Sequence, residues 1–283
     1  MQLLSWNIQW CRGVDGRVDP HRIARVIREL ADADVICLQE VARGFDTLAG
    51  SAGEDQFALL AAEFPGWTAI EGVAVDVPDG RGGRRQFGNL LLSRLPVRQA
   101  WRHLLPWPPD SDHADMQRVA VEAVIEAPDV GDLRVATTHL GYYSAAQRLA
   151  QIEGLRALHA LAHGQRIKPA RADTSNGPFH WRPRPAAGIV CGDCNCEPGS
   201  AGHSRMLEPF GDGTPSFRDA WTVAHSGRPH EPTVGLFDTV QWPRRFACDF
   251  VFVSEDLAPR VQALWVDAAS DASDHQAVML RLG

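Results

Sequence analysis

Apolar positions along the chain follow two rhythms. In DPHRIARVIREL (19–30), Ile23, Val26, Ile27 and Leu30 recur at helical spacing behind an Asp-Pro start, which predicts an amphipathic helix. QFALLAAEF (56–64) reads as a second helix, and SAAQRLAQIEGLRALHALAH (144–163), with Ser144 as N-cap, as the longest. Short apolar runs supply the strands: LLSWNIQW (3–10), DVICLQE (34–40), WTAIEGVAV, FGNLLLSRLPV, RVAVEAVIEA, DLRVATTHL, AGIVCGD, DFVFVS and QAVMLRL. DVICLQE is apolar almost to its end, as a buried strand whose last residue emerges. Residues 168–187, rich in Pro and Arg, and residues 225–247 carry no period and read as long loops. No repeat and no dividing linker interrupts the pattern. It predicts one α/β unit over residues 1–283, with substantial sheet covered by helices.

Composition narrows the function. The 28 basic and 35 acidic residues of this 283-residue chain give a net charge of −7. That argues against a sequence-independent grip on duplex DNA, which needs a basic face, and suits a protein that gathers carboxylates around a hard cation. MQLLSWNIQW has no basic n-region, and no apolar run approaches the roughly 20 residues of a membrane span. A cytoplasmic protein without membrane insertion is expected, with its six cysteines (11, 37, 191, 194, 196, 248) as reduced thiols.

Candidate chemistry sits at the strand ends. The first strand carries Asn7, the second ends at Glu40, and VATTHL ends near His139. GIVCGDCN ends at Asp193 and Asn195, DFVFVS begins with Asp249, and ASDHQAVML begins with Asp274-His275. Such clusters at one rim of a sheet would build a site on a rigid scaffold. Carboxylates with an amide carbonyl suit Mg²⁺ or Mn²⁺, and the histidines supply acid, base and orienting groups. Cys191, Cys194 and Cys196 suggest a thiolate zinc site at first sight. They lack a second pair, so the oxygens take precedence; Cys191 is expected in the core, with Cys194 and Cys196 filling gaps beside the site.

The ordered pieces SWNIQW, DVICLQEV, GNLLLSRLPV, TTHLG, GDCN, CDFVFVS and SDHQAVML span nearly the whole chain. Together they resemble the endonuclease/exonuclease/phosphatase superfamily, Mg²⁺-dependent phosphoesterases that include apurinic-site nucleases, DNase I and inositol-polyphosphate 5-phosphatases. The resemblance implies a four-layer α/β/β/α sandwich of two packed sheets flanked by helices. It implies Glu40 as main metal ligand, with Asn7 and Asp274 close by. It pairs His275 with Asp249, gives Asp193 and Asn195 the positioning of the water or the scissile phosphate, and sets His139 against the phosphoryl oxygens. Arg148 and Gln151 match an Arg-x-x-Gln helix that supports the site. Gln9 departs from the pattern, standing where many nucleases of the family carry an acid, which bears on metal affinity and metal number.

The implied reaction is in-line attack of water on phosphorus. Either Asp193 or His275 takes the water's proton, with Asp193 preferred. The expected partner is a phosphate-ester substrate, nucleic acid among the candidates, with no obligate protein partner. Phosphodiester cleavage ranks ahead of a phosphatase acting on a small molecule or lipid headgroup, and ahead of a non-catalytic phosphate-binding module. Arg118 reads equally as a salt-bridge residue and stays outside the catalytic set. His21, His159 and His163 read as surface or packing residues. Two loop clusters, Trp242 with Arg244 and Arg245, and Trp181 with Arg182 and Arg184, are candidates for stacking and phosphate contacts.

Overall fold

The computed structural model describes residues 1–171 and 177–283; the middle of the predicted 168–187 loop lies outside them. The strands are β1 (Gln2–Asn7), β2 (Val35–Arg43), β3 (Thr68–Pro78), β4 (Arg84–Ser93), β5 (Val97–Leu104), β6 (Val119–Ala127), β7 (Gly131–His139), β8 (Gly188–Asp193), β9 (Phe217–Asp219), β10 (Asp249–Ser254), β11 (Val261–Val266) and β12 (Val278–Leu282). The helices are α1 (Pro20–Leu30), α2 (Gln56–Glu63), α3 (Ala145–Ile167), α4 (Ala201–Leu207) and α5 (Ala220–Ala224). Two six-stranded sheets form, in the orders β11-β12-β1-β2-β4-β3 and β5-β6-β7-β8-β10-β9.

The sequence pattern explains the layering. Successive strand residues point to opposite faces, and β1 and β2 are apolar on both. Leu3, Val35 and Cys37 meet Val121, Val135, Ile189 and Cys191 between the sheets. Leu4, Trp6, Ile36 and Leu38 point outward onto Ile23 and Ile27 of α1 and Phe57 and Leu60 of α2. On the other side, Ala136, Val190, Phe250 and Phe252 pack with Ile152 and Leu155 of α3 and Met206 of α4. This is the four-layer α/β/β/α arrangement. α1 starts as its sequence predicts, with Asp19 capping the Arg22 N–H and Pro20 in the first turn; Ser144 caps α3 in the same way.

The structure departs from the sequence reading at several places. FGNLLLSRLPV is two strands: β4 stops at Ser93, Arg94–Pro96 turn, and β5 enters the other sheet at Val97. Pro96 has no N–H to continue a ladder. The first strand ends at Asn7, because Gln9, Trp10 and Cys11 take positive φ in a single 3₁₀ turn. The short elements β9, β11, α4 and α5 escape the pattern.

Arg184 is corrected too. It is no ligand-facing loop residue but is buried, with Nε and one terminal nitrogen each donating to Glu122 at 2.9 Å. Arg134 and His103 approach the same carboxylate, at 3.6 and 3.3 Å. Burial would raise the Glu122 pKa, but His103 and the two guanidiniums outweigh it and hold it at about 2. Glu122→Ala leaves two buried guanidiniums unpaired and is expected to cost about 3–5 kcal/mol, read from urea unfolding; a loss below about 1 kcal/mol contradicts this. Because the folded pKa is depressed, the stabilisation is fully present above the unfolded value of about 4.3 and fades as pH falls toward 2.

Candidate active site

Topology gathers the polar strand ends. β1 and β2 run parallel at the centre of one sheet, Asn7 opposite Gln39; β7 and β8 run parallel in the other, His139 opposite Asp193. All four therefore deliver their C-terminal ends to one rim, the edge where open parallel sheets place sites. β10 is antiparallel to β8, so its first residue, Asp249, lies opposite Asp193. β12 is antiparallel to β1, so Asp274 and His275, just before it, reach the same rim. Gln39 ties the sheets beneath, donating to Thr137 at 2.8 Å.

Local backbone aims two of these side chains. The pairing of β2 with β4 slips between Leu38 and Val41, and inside this bulge Glu40 sits at φ 60°. A bulge re-aims a side chain, and left-handed backbone on a non-glycine residue costs about 1–3 kcal/mol. Before Asp193, Gly192 has φ 132°, and a Cβ there would lie 1.9 Å from the Thr138 carbonyl oxygen, so only glycine lets β8 lie this close to β7.

At the floor, the Asn7 amide nitrogen donates to Glu40 Oε1 and to Asp193 Oδ2, both at 2.9 Å. Its Oδ1 accepts the Gln9 N–H. Asp193 Oδ1 accepts the Asn195 N–H at 2.9 Å. Asp274 accepts from Gln241 and from the Trp242 indole at 2.9 and 3.0 Å. Burial first, then the Asp274 carboxylate, push Glu40 up to about 7. Burial also raises Asp193 to about 6, with Asp249 adding to it and His275 opposing. Glu40, His139 and Asp193 bring ligand atoms within 4.8 Å of one another. Crowded hard oxygens whose charged forms are penalised fit a divalent cation, which would relieve that penalty.

The histidines differ. Asn195 Nδ2 donates to Leu140 O at 2.9 Å and contacts His139 Nε2 at 3.0 Å. An amide nitrogen can only donate, so Nε2 accepts and the ring proton sits on Nδ1. That Nδ1 is buried with no hydrogen-bond partner among the described residues, 3.8 Å from Glu40. Burial, then Arg118 and His275, hold His139 well below the ordinary imidazole value, so it is neutral. His275 is the opposite. Burial would lower it, but Asp249, Asp274 and Asp193 raise it well above that value. As an imidazolium it donates from Nδ1 to Asp249 at 2.9 Å and turns Nε2 toward Asp193, 3.7 Å away.

All these groups except the deeper Asn7 and Asp249 line one cleft of about 440 Å³. Its walls include residues the sequence did not single out as catalytic. Arg118 is buried, with Nε and one terminal nitrogen on Asp115 and the other terminal nitrogen without a partner among the described residues. Tyr142 follows His139, and its ring meets the Trp242 ring edge-on. Trp242 is 7% exposed, so it braces Asp274 rather than presenting a free stacking face. Arg244 is paired with Glu197 and lies over Phe246. Gln9 spends its amide on Gln241 and Arg12. Gln151 accepts the Gly141 N–H, and Arg148 donates to the carbonyls of Gly141 and Tyr142, so both hold the turn after His139. Arg182 lines a surface hollow with Asp132, at the far end of β7.

The cysteines are free and buried, and no three of them converge among the described residues. His203, Asp219 and His230 form another convergent group. There, Gly199 N–H donates to His203 Nδ1, which puts the ring proton on Nε2, and that proton points at Asp219. The group is a hydrogen-bonded brace. No helix among the described residues is long and apolar enough to cross a membrane.

The sequence profile of the endonuclease/exonuclease/phosphatase family matches residues 4–275. Comparison with curated proteins gives no match. Among solved structures, an endonuclease/exonuclease/phosphatase from Beutenbergia cavernae is 25% identical, with a TM-score of 0.67 over 100% of this chain and 72% of that one. One from Bacteroides vulgatus is 18% identical, with a TM-score of 0.68 over 100% and 98%. A mannosyl-6-phosphatase of Bacteroides thetaiotaomicron is 16% identical, with a TM-score of 0.65 over 100% and 99%. With a profile match over nearly its whole length and the same two-sheet fold, the chain belongs to the endonuclease/exonuclease/phosphatase family of phosphoesterases.

Proposed function

We propose that the protein hydrolyses phosphodiester bonds with Mg²⁺ or Mn²⁺ as cofactor. The observation that carries this is the meeting of Asn7, Glu40, His139, Asp193, Asn195, Asp249, Asp274 and His275 at one rim. Glu40 and Asp274 would hold the cation, and Asn7 beside them fixes Glu40 against Asp193. When bound, the cation neutralises charge that develops on the phosphoryl oxygens. Asp193, immobilised by Asn7 and Asn195, orients the attacking water and takes its proton. The unpartnered Nδ1–H of His139 and the His275 imidazolium, steadied by Asp249, stand as preorganised donors to the phosphoryl group.

A diester carries organic groups on both sides of phosphorus. The cleft opens into a second hollow of about 820 Å³ that shares Tyr142, Tyr143, Asn195 and Trp242 with it, which gives each group a place. Likeness to a mannosyl-6-phosphatase supports a second reading, a phosphatase of a small phosphorylated molecule. The test is turnover, with Mg²⁺ or Mn²⁺, of bis-p-nitrophenyl phosphate, p-nitrophenyl phosphate, mannose 6-phosphate and nicked DNA. Faster cleavage of the diesters supports the proposal, turnover of monoesters alone selects the second reading, and no turnover at all sinks both.

Arg118 adds a phosphate contact to this scheme. Losing one charge-assisted hydrogen bond costs about 1.5–3 kcal/mol, so Arg118→Met is expected to lower kcat/KM on bis-p-nitrophenyl phosphate by about 10- to 100-fold. Unchanged kinetics would leave Arg118 as a partner of Asp115 only.

A further inference from the structure

Among the described residues, the hollow beside the cleft carries a positive charge that no carboxylate neutralises. Glu197 on its wall is taken by Arg244, and His113 by Asp110. Arg148, half-buried on α3, lines the same hollow and forms no ion pair among the described residues. A guanidinium has five N–H donors in a fixed fork. One terminal nitrogen of Arg148 spends its hydrogens on the carbonyls of Gly141 and Tyr142, at 2.7 and 2.9 Å. The edge formed by Nε and the other terminal nitrogen has no partner among the described residues, and that edge matches two oxygens of a phosphate. The two bonds already made hold the guanidinium in place, so little side-chain entropy remains to be lost on binding.

The geometry points to a second anion subsite: the hollow receives the part of the substrate beyond the scissile diester, and Arg148 selects substrates that carry a further phosphate there. This rests on the phosphodiesterase reading and names the substrate class for it, an organic diester with a second phosphate nearby. Tyr142, Tyr143 and Trp242 wall the passage between the scissile position and Arg148. Arg148 is a specificity residue here, distinct from the groups that face the reacting phosphorus.

Two substrate pairs separate the sources of such a compound: dithymidylate with and without a terminal phosphate, at either end, and glycerophosphoinositol with and without a ring phosphate. In at least one pair the phosphorylated member is expected to show a kcat/KM about tenfold higher, mostly through KM. Arg148→Met collapses that ratio toward one, and Arg148→Lys keeps part of it. A purely structural role in the turn after His139 lowers both members in parallel and leaves the ratio unchanged. Calorimetry of the same pairs with Ca²⁺ in place of Mg²⁺ reads the subsite without turnover. Equal affinity within every pair, or a preference that survives in Arg148→Met, overturns the subsite. An affinity difference lost in Arg148→Met, in a protein that turns over no diester, keeps the subsite and overturns the phosphodiesterase reading.

Discussion

Replacing Glu40 by Gln lowers kcat/KM on bis-p-nitrophenyl phosphate by at least about a thousandfold, while the thermal midpoint stays level or rises. The two halves of this expectation share one cause. Glu40 occupies a left-handed bulge at the cleft floor, its carboxyl pushed up to about 7 by burial and by Asp274. The fold gains nothing from that charge, whereas the proposed cation would be held by it. Gln keeps the shape and still accepts from the Asn7 amide at the Oε1 position, but it brings no charge to a metal. Removing a functional carboxylate of this kind commonly leaves stability unchanged or improved. Steady-state kinetics across a Mg²⁺ titration, with thermal unfolding of both proteins, reads the two effects together. Activity within about tenfold of wild type would remove Glu40 from the site's chemistry.

Asp193→Asn carries the second large effect, a fall in kcat of about 10²–10⁴-fold with a much smaller change in KM. Asp193 accepts from the Asn195 backbone through one oxygen and from the Asn7 side chain through the other. An Asn has one acceptor and one donor end, so whichever way it turns, an N–H meets another N–H. Under the proposed mechanism the substitution thus removes the proton acceptor and loosens the group that would orient the water. A change confined to KM would make Asp193 a binding residue and hand the base role to His275.

Much of this is legible in the sequence, for identifiable reasons. Strands buried on both faces leave continuous apolar runs, so DVICLQE and AGIVCGD stood out, and the polar residues that end them are conspicuous by contrast. Asp193 and Asn195 lie two positions apart and share the site through a turn with Asn195 at φ 49°. The rest depends on contacts distant in sequence. Arg184 stands in a Pro-rich loop like any solvated arginine, and only the path of that loop carries it to Glu122, 62 residues away. Arg118 reads as an ordinary strand-edge cation until Asp115 is seen to hold one edge of it and leave a nitrogen with no partner among the described residues. Trp242 lies in a stretch with no period, and its bond to Asp274 crosses 32 residues. β11 alternates too weakly to announce itself, as an edge strand packed largely by its neighbour β12 can afford to.

Anomalous diffraction from crystals grown with Mn²⁺ locates a cation in the cleft without relying on turnover. A manganese peak is expected on the Glu40 carboxylate in the wild-type protein and none there in Glu40→Gln. A cleft without manganese, or a peak only at His203, Asp219 and His230, would contradict it.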